Sequence, residues 1–228
     1  EIITMKTSDL LRKAPMGLLG SLAVGMIVGA FYSLGPIYAQ RIGLDVDMIA
    51  YYMSISIICG FLMQWPVGNL SDRLDRKYVL AGIAFMISLA CVSILLTSDG
   101  PIWLIFLSIG FYGGMAFSLY PVAVAHTNDR MEPCEIIPAS SALIFSYGLG
   151  ACVGPIAAAS LMAIMGPIGL YAFIGVVSLC VGITVLVHIH IEAPKKEEAV
   201  PYVAVPRTSP IITSLHPHSE VSQEDEAS

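Results

Sequence analysis

The sequence predicts an all-α, polytopic membrane protein with six membrane-spanning helices. Hydrophobic residues make up 56% of the 228 residues and charged residues only 12%, whereas soluble domains carry about 25% charged residues. The mean hydropathy of +0.79 agrees with this composition. The charged residues are also clustered, and each uncharged run between the clusters can cross a bilayer, which takes roughly 20 apolar residues.

The uncharged runs define the six spans in chain order. The first four spans are predicted at residues 14–40, 48–71, 78–98 and 102–126. The next run, 136–187, is too long for one span, and Gly166 and Pro167 divide it because both residue types interrupt helices. Spans five and six are therefore predicted at 136–161 and 168–190.

Two polar segments flank the six-helix domain, which is predicted to occupy residues 14–191. Residues 1–13 form a charged lead-in, and residues 192–228 form a tail rich in Pro, Ser, Glu and Lys. Such a tail cannot bury a core, so we expect it to be disordered. Because the chain starts at Glu1 without an initiator Met or a signal-peptide pattern, we expect a fragment whose N-terminal part is missing.

The basic residues predict the orientation of the spans. When residues 1–13, the loops 72–77 and 127–135 and the tail are placed on one side, ten of the eleven Lys and Arg residues share that side. Only Arg41 lies on the other side. Short cationic loops remain on the cytoplasmic side of a membrane. Both termini of this segment are therefore expected to be cytoplasmic.

Small residues recur at every fourth position on three spans. They are Ser21, Gly25, Gly29 and Ser33 on span one, Gly110, Gly114 and Ser118 on span four, and Gly150, Gly154 and Ala158 on span five. This spacing lets helix backbones approach closely in lipid, although a general richness of membrane helices in Gly is the alternative. Proline occurs inside spans one, two, four and five, at Pro36, Pro66, Pro121 and Pro155. These prolines predict bent or hinged helices of the kind that a transporter needs.

Polar side chains are concentrated on spans one, two, four and five, which predicts that these helices face a wet cavity while spans three and six face lipid. Two blocks of three spans result, as in a secondary transporter. The side chains expected to contact substrate are Tyr32, Gln64, Tyr112, Tyr120 and Tyr147. Tyrosines suit a small amphipathic organic solute. The alternatives are that several of these tyrosines lie in the interfacial aromatic belt and that Gln64 packs against a neighbouring helix.

No Asp, Glu, Lys or Arg lies in the middle of any predicted span, so this segment offers no obvious acid for proton coupling. His126, beside Asp129 at the end of span four, takes part in proton movement or simply ends the helix. His188 and His190 are expected to be interfacial rather than metal ligands. We therefore expect no metal, no cofactor and no nucleic-acid partner.

Motifs of intramembrane catalysis are missing from the sequence. It contains no Gly-x-Ser-x-Gly, no His-Glu-x-x-His and no paired acids within a span. We therefore do not expect an enzyme. Two classes of function remain: half of a solute transporter, or a six-helix structural or partner membrane protein without transport activity of its own.

The loop between spans two and three carries the most specific motif. Residues 68–77 read GNLSDRLDRK, which resembles the loop signature G-x-L-a-D-r-x-G-r-k of the major facilitator superfamily, with Asp75 in place of the usual Gly. Residues 150–155, GACVGP, are similar to the Gly-Pro signature of that family's fifth helix in each half. Further segments look like the C-terminal half of its bacterial YcaD-like branch. These segments are 32–38, 64–66, 118–123 and 146–147, the last together with 154–155.

The resemblance covers about residues 15–190 and implies that the six spans are helices seven to twelve of a transporter, built as two inverted three-helix repeats. Residues 1–13 then end the central cytoplasmic loop. The implied partners are a small-molecule substrate, the lipid bilayer and the missing N-terminal six-helix half. The implied location is the bacterial cytoplasmic (inner) membrane, with the chain as a multi-pass protein.

The resemblance also implies a role for the loop between spans two and three. In the family, a contact between this loop and the other half latches one transport state, and a carboxylate gains there from the dipole of a facing helix N-terminus. The alternative is that Asp72 only caps and solubilises its loop. The residues of the implied conformational switch are Gly68, Asp72, Arg73, Arg76 and Lys77.

Overall fold

The computed structural model describes residues 15–97 and 100–191 of the chain. These residues form six long α-helices and no strand. The helices are α1 (Pro15–Arg41), α2 (Val46–Arg73), α3 (Arg76–Thr97), α4 (Ile102–Asn128), α5 (Ile136–Met165) and α6 (Gly169–Ile191). The expectations for residues 1–13, for the end of span three at Ser98 and for the tail 192–228 lie outside the described residues.

Each helix overlaps the span predicted for it, so the all-α membrane fold is confirmed. By length and apolar composition, α1 to α4 and the stretch Ile136–Ile191, which contains α5 and α6, can cross a membrane. The largest difference lies in α5, which continues to Met165 rather than ending at 161. The helix ends there because Gly166 adopts a φ of 74°, a conformation that favours glycine.

The turn between α2 and α3 is formed by Leu74 and Asp75. The side chain of Asp75 accepts a hydrogen bond from the backbone N–H of Lys77 over 3.0 Å, and its carbonyl oxygen accepts one from the N–H of Tyr78 over 3.0 Å. No residue other than Gly has a positive φ in the described part of the chain. Asp75 therefore fits the family's glycine position without strain, because it caps α3 instead of adopting a left-handed conformation.

The helices pack as three pairs. The most extensive contacts join α1 to α5, α2 to α4, and α3 to α6. If the two triplets are exchanged, so that α1 replaces α4, α2 replaces α5 and α3 replaces α6, the first two pairs map onto each other. The third pair maps onto itself. The pairing is therefore that of two related three-helix repeats.

The first helices of the two repeats run in opposite directions. Gly17, near the start of α1, faces Thr127 near the end of α4, and Gly20 faces Ala123 one turn further on. An inverted repeat requires this antiparallel arrangement. The predicted organisation as two inverted three-helix repeats is therefore confirmed.

The small residues of α1 and α5 face each other. A Cβ atom built on Gly25 would overlap the carbonyl oxygen of Tyr147, and one built on Gly150 would overlap that of Leu22. Neighbouring positions on the same seam repeat this arrangement. Gly29 lies against Ala151, where a Cβ would be 2.9 Å from its Cα, and Gly154 lies against Met26. The two backbones are therefore in direct contact along several helical turns.

The α2–α4 pair is built in the same way from different residues. A Cβ on Gly113 would overlap the carbonyl oxygen of Ser56, and one on Gly110 would lie 3.1 Å from Sγ of Cys59. Gly114 lies against the side chain of Met63. The predicted ridge on span four is thus a packing surface, and Gly113 beside it makes the tightest contact.

Gly150 offers a test of this close packing, because Gly148 on the same helix is exposed and has free space around it. Gly150→Ala should lower the melting temperature of the detergent-solubilised protein relative to Gly148→Ala, since overpacking costs about 1–3 kcal/mol. The gain in helix propensity is the same at both sites and cancels. Equal melting temperatures would contradict the contact between α1 and α5.

Candidate functional site

A cavity of about 430 Å³ opens between four of the helices. Its walls come from α1, α2, α4 and α5, and none of its wall residues belongs to α3 or α6. The wall residues are Val24, Val28, Tyr32, Gln64, Ala116, Phe117, Tyr120, Pro121 and Tyr147. Its volume is in the range of about 300–1,000 Å³ that small-molecule sites occupy.

Four of the five side chains expected at a substrate cavity lie in this wall. They are Tyr32, Gln64, Tyr120 and Tyr147. Pro121 also contributes to the wall, at the point where the proline removes a backbone donor from α4. Pro155 is inside α5 and is not one of the wall residues.

Tyr112 lies apart from the cavity. Its side chain is fully buried, and its ring centroid is 5.3 Å from that of Phe31 and 5.6 Å from that of Tyr171. Its hydroxyl has no hydrogen-bond partner among the described residues. Tyr112 precedes the cavity residue Ala116 by one helical turn, so it shares the helix face but lies beyond the edge of the cavity.

The cavity is mainly aromatic and apolar. The rings of Tyr120 and Tyr147 meet with centroids 5.3 Å apart at 64°, and those of Tyr32 and Phe117 are 5.8 Å apart. Gln64 is exposed and supplies the only side-chain amide of the wall. None of the wall residues is charged. Such a wall can stack against an apolar or aromatic group and hydrogen-bond a few polar atoms.

Buried tyrosines form a second aromatic cluster that the sequence did not reveal. Tyr52 of α2 and Tyr171 of α6 are hydrogen-bonded through their hydroxyls, and the ring of Tyr38 meets that of Tyr171 edge-on, with centroids 4.8 Å apart. All three side chains are fully buried. The cluster links α1, α2 and α6.

The turn between α2 and α3 is held against the end of α4 by one arginine. Arg76 reaches Oδ1 of Asp72 over 3.2 Å and Oδ2 of Asp129 over 3.1 Å. Arg73 is exposed at the surface. We call the end of the bundle that carries this turn the loop end. Asp129 was not expected as a partner of the loop, since it is distant in sequence.

His126 lies beside this network on the last turn of α4. Its side chain is buried, and the guanidinium of Arg130 donates a hydrogen bond to its Nε2. His126 does not line the aromatic cavity. The structure thus places it with the charged residues of the loop end.

Comparison with known proteins agrees with this architecture. The family model of the Major Facilitator Superfamily matches residues 17–217. The chain belongs to the Major Facilitator Superfamily. No solved structure matches the chain.

Similar curated proteins identify the branch of this superfamily to which the chain is related. An uncharacterized MFS-type transporter of Enterobacter sp. (strain 638) is 33% identical over 152 residues. Uncharacterized MFS-type transporters named YcaD from Salmonella arizonae and from Salmonella newport (strain SL254) are also 33% identical over 152 residues. In each case the match covers 67% of this chain and 38% of the relative. The resemblance to YcaD-like proteins is confirmed.

Matched tyrosine-to-cysteine variants test the extent of the cavity. With the native cysteines replaced by alanine, Tyr147→Cys should react with a charged methanethiosulfonate reagent at least about tenfold faster than Tyr112→Cys, because the reactive thiolate forms only where water reaches it. Rates are measured on the protein in membrane vesicles. Equal rates would place Tyr112 in the cavity or Tyr147 outside it.

Proposed function

We propose that the chain is the C-terminal half, helices seven to twelve, of a secondary transporter that moves a small amphipathic organic solute by alternating access. Membership of the superfamily supports transport rather than catalysis. The observation that carries the proposal is the aromatic cavity, whose wall comes from two helices of each inverted repeat. A site between repeats is where such transporters bind their solutes.

The proposed partner is an N-terminal half of six further helices. The match covers only 38% of each relative, which leaves room in such a protein for a second helical domain. On α2, large apolar side chains such as Phe61 and Trp65 are exposed. In the proposal they pack on the missing half or on lipid, and the missing half closes the open side of the cavity.

The proposed location is the bacterial cytoplasmic membrane, with the loop end in the cytoplasm. The relatives are bacterial proteins, and the basic residues Arg73, Arg76, Lys77 and Arg130 all lie at the loop end. The positive-inside rule supports this orientation. Both ends of the segment are then cytoplasmic, and the Arg76 network faces the cytoplasm.

The solute is expected to have an apolar or aromatic body and few polar groups. The tyrosine rings provide stacking surfaces, and the Gln64 amide both donates and accepts hydrogen bonds. The cavity wall in this chain carries no charge. A solute that carries a formal charge therefore needs its counter-charge from the other half.

Gln64→Leu tests the assignment of the solute site. A panel of amphipathic organic compounds is screened for those that raise the melting temperature of the purified protein, because ligands stabilise the state that they bind. For such a compound, Gln64→Leu should weaken the affinity by about fivefold, the value of one hydrogen bond of about 1 kcal/mol.

Gln40→Leu is the matched control, because Gln40 is exposed at the end of α1 and does not line the cavity. It should leave the affinity unchanged. Compounds whose stabilising effect is the same in the parent, in Gln64→Leu and in Tyr147→Ala would show that the solute binds elsewhere.

Asp72→Asn tests the proposed conformational role of the loop. The Asp72 side chain is 72% exposed, so its ion pair with Arg76 is worth no more than about 1 kcal/mol. That energy is small for folding, but it changes a balanced conformational equilibrium about fivefold. The variant should therefore slow transport while membrane expression stays near that of the parent.

Asp47→Asn removes the same charge at the opposite end of α2 and serves as the control. It should change neither quantity. If Asp72→Asn reduced expression as much as transport, Asp72 would be a folding residue instead.

A further inference from the structure

Two smaller cavities continue from the aromatic cavity toward the loop end. The first, of about 150 Å³, lies between α2 and α4 and shares Gln64 and Pro121 with the wall of the aromatic cavity. The second opens around the charged turn and shares Ser71 and Asp72 with the first. The three cavities therefore follow one another along the seam of α2 and α4.

Ser71 stands at the junction of the two smaller cavities. Its side chain is buried, with 4% of its surface exposed, and its hydroxyl has no hydrogen-bond partner in the described part of the chain. A buried hydroxyl without a protein partner is normally satisfied by water. The Ser71 hydroxyl, which lacks a hydrogen-bond partner among the described residues, therefore indicates water at this junction.

Polar groups recur along the whole seam. Gln64 is followed by Ser118, whose hydroxyl donates to the carbonyl oxygen of Gly114 over 2.7 Å and still has lone pairs to accept with. Ser71 comes next, and the Asp72 carboxylate lies at the mouth. A buried water molecule needs two to four polar partners. A water bound to one of these groups finds further partners in the next group along the seam and in neighbouring waters.

We propose that the seam of α2 and α4 is a water passage that joins the aromatic cavity to the surface of the loop end. The cavity of about 150 Å³ forms the middle section of this passage. It has room for several water molecules, since one water needs roughly 10–15 Å³ of free volume. That section is well below the size of about 300 Å³ at which small-molecule sites begin. The passage therefore has room for water beside the Gln64 amide but is too small to be a solute site. The passage rests on the cavity being open to water, as the proposed function requires.

The loop signature places a glycine in the wall of the middle section. Gly68 lines the middle section, and a Cβ built on it has no neighbour within 4 Å. The glycine therefore leaves the passage open and is not needed for packing. A large side chain at this position is expected to fill the passage without disturbing the helices.

The first arm of the test compares two buried serines of α2. Ser56, like Ser71, is buried and has a hydroxyl without a hydrogen-bond partner among the described residues, but it lines neither of the smaller cavities. Single cysteines at both sites are treated with a small charged methanethiosulfonate reagent in vesicles that expose the loop end. Ser71→Cys should react at least about tenfold faster, because only a hydrated thiol ionises readily.

The second arm blocks the passage. Ser118→Cys reports on the middle section, and Gly68→Leu should slow its reaction with reagent applied to the loop end by about tenfold or more, because the thiol loses its contact with water. Gly82→Leu is the control, since Gly82 on α3 has equally free space around it but lies outside the passage. It should leave the rate unchanged.

Either of two results would contradict the proposed water passage. Ser71→Cys could react no faster than Ser56→Cys, or Gly68→Leu could leave the rate at Ser118→Cys unchanged in a variant whose melting temperature matches that of the parent. Neither measurement uses a solute or a transport assay. A failure of the proposed transport function therefore leaves both readouts in place.

Discussion

Direct backbone contact between helices holds this six-helix bundle together. In lipid there is no hydrophobic drive to bring apolar helices together, so close van der Waals packing must do it. Gly25 and Gly150 let α1 and α5 touch along their backbones, and Gly113 does the same for α4 against α2. These two pairs are equivalent under the exchange of the two repeats. The same kind of glycine-mediated contact, present in both pairs, therefore fixes the packing of four of the six helices.

The cavity follows from this arrangement. A space remains between the two tight pairs, and it is lined by the residues that face it on α1, α2, α4 and α5. The lining is mostly aromatic, with Gln64 as its amide. On the α2–α4 seam, the same pairing leaves the polar positions Ser71 and Ser118 in a row toward the loop end. The Arg76 network then ties the turn to α4 at the mouth of that seam.

The sequence predicted the fold well because membrane spans are set by runs of apolar residues, which are local. It also placed Tyr32, Gln64, Tyr120 and Tyr147 on the helices that the structure brings together. It could not separate Tyr112 from them, because this depends on depth along α4 rather than on which helix carries the residue. The partners Asp129 for Arg76 and Tyr171 for Tyr52 were not predictable either, since both are contacts between residues far apart in the sequence.

Alternating access requires that the aromatic cavity open in turn to both faces of the membrane, and labelling of one cysteine from the two faces measures this. Tyr147→Cys, in the full-length protein, is treated with a bulky membrane-impermeant thiol reagent, too large for the water passage, in right-side-out and in inside-out vesicles. With alternating access, the cysteine should be labelled from both faces, and the ratio of the two rates should change when Asp72 is replaced by Asn. Labelling from one face only, in both the parent and the Asp72→Asn variant, would contradict it.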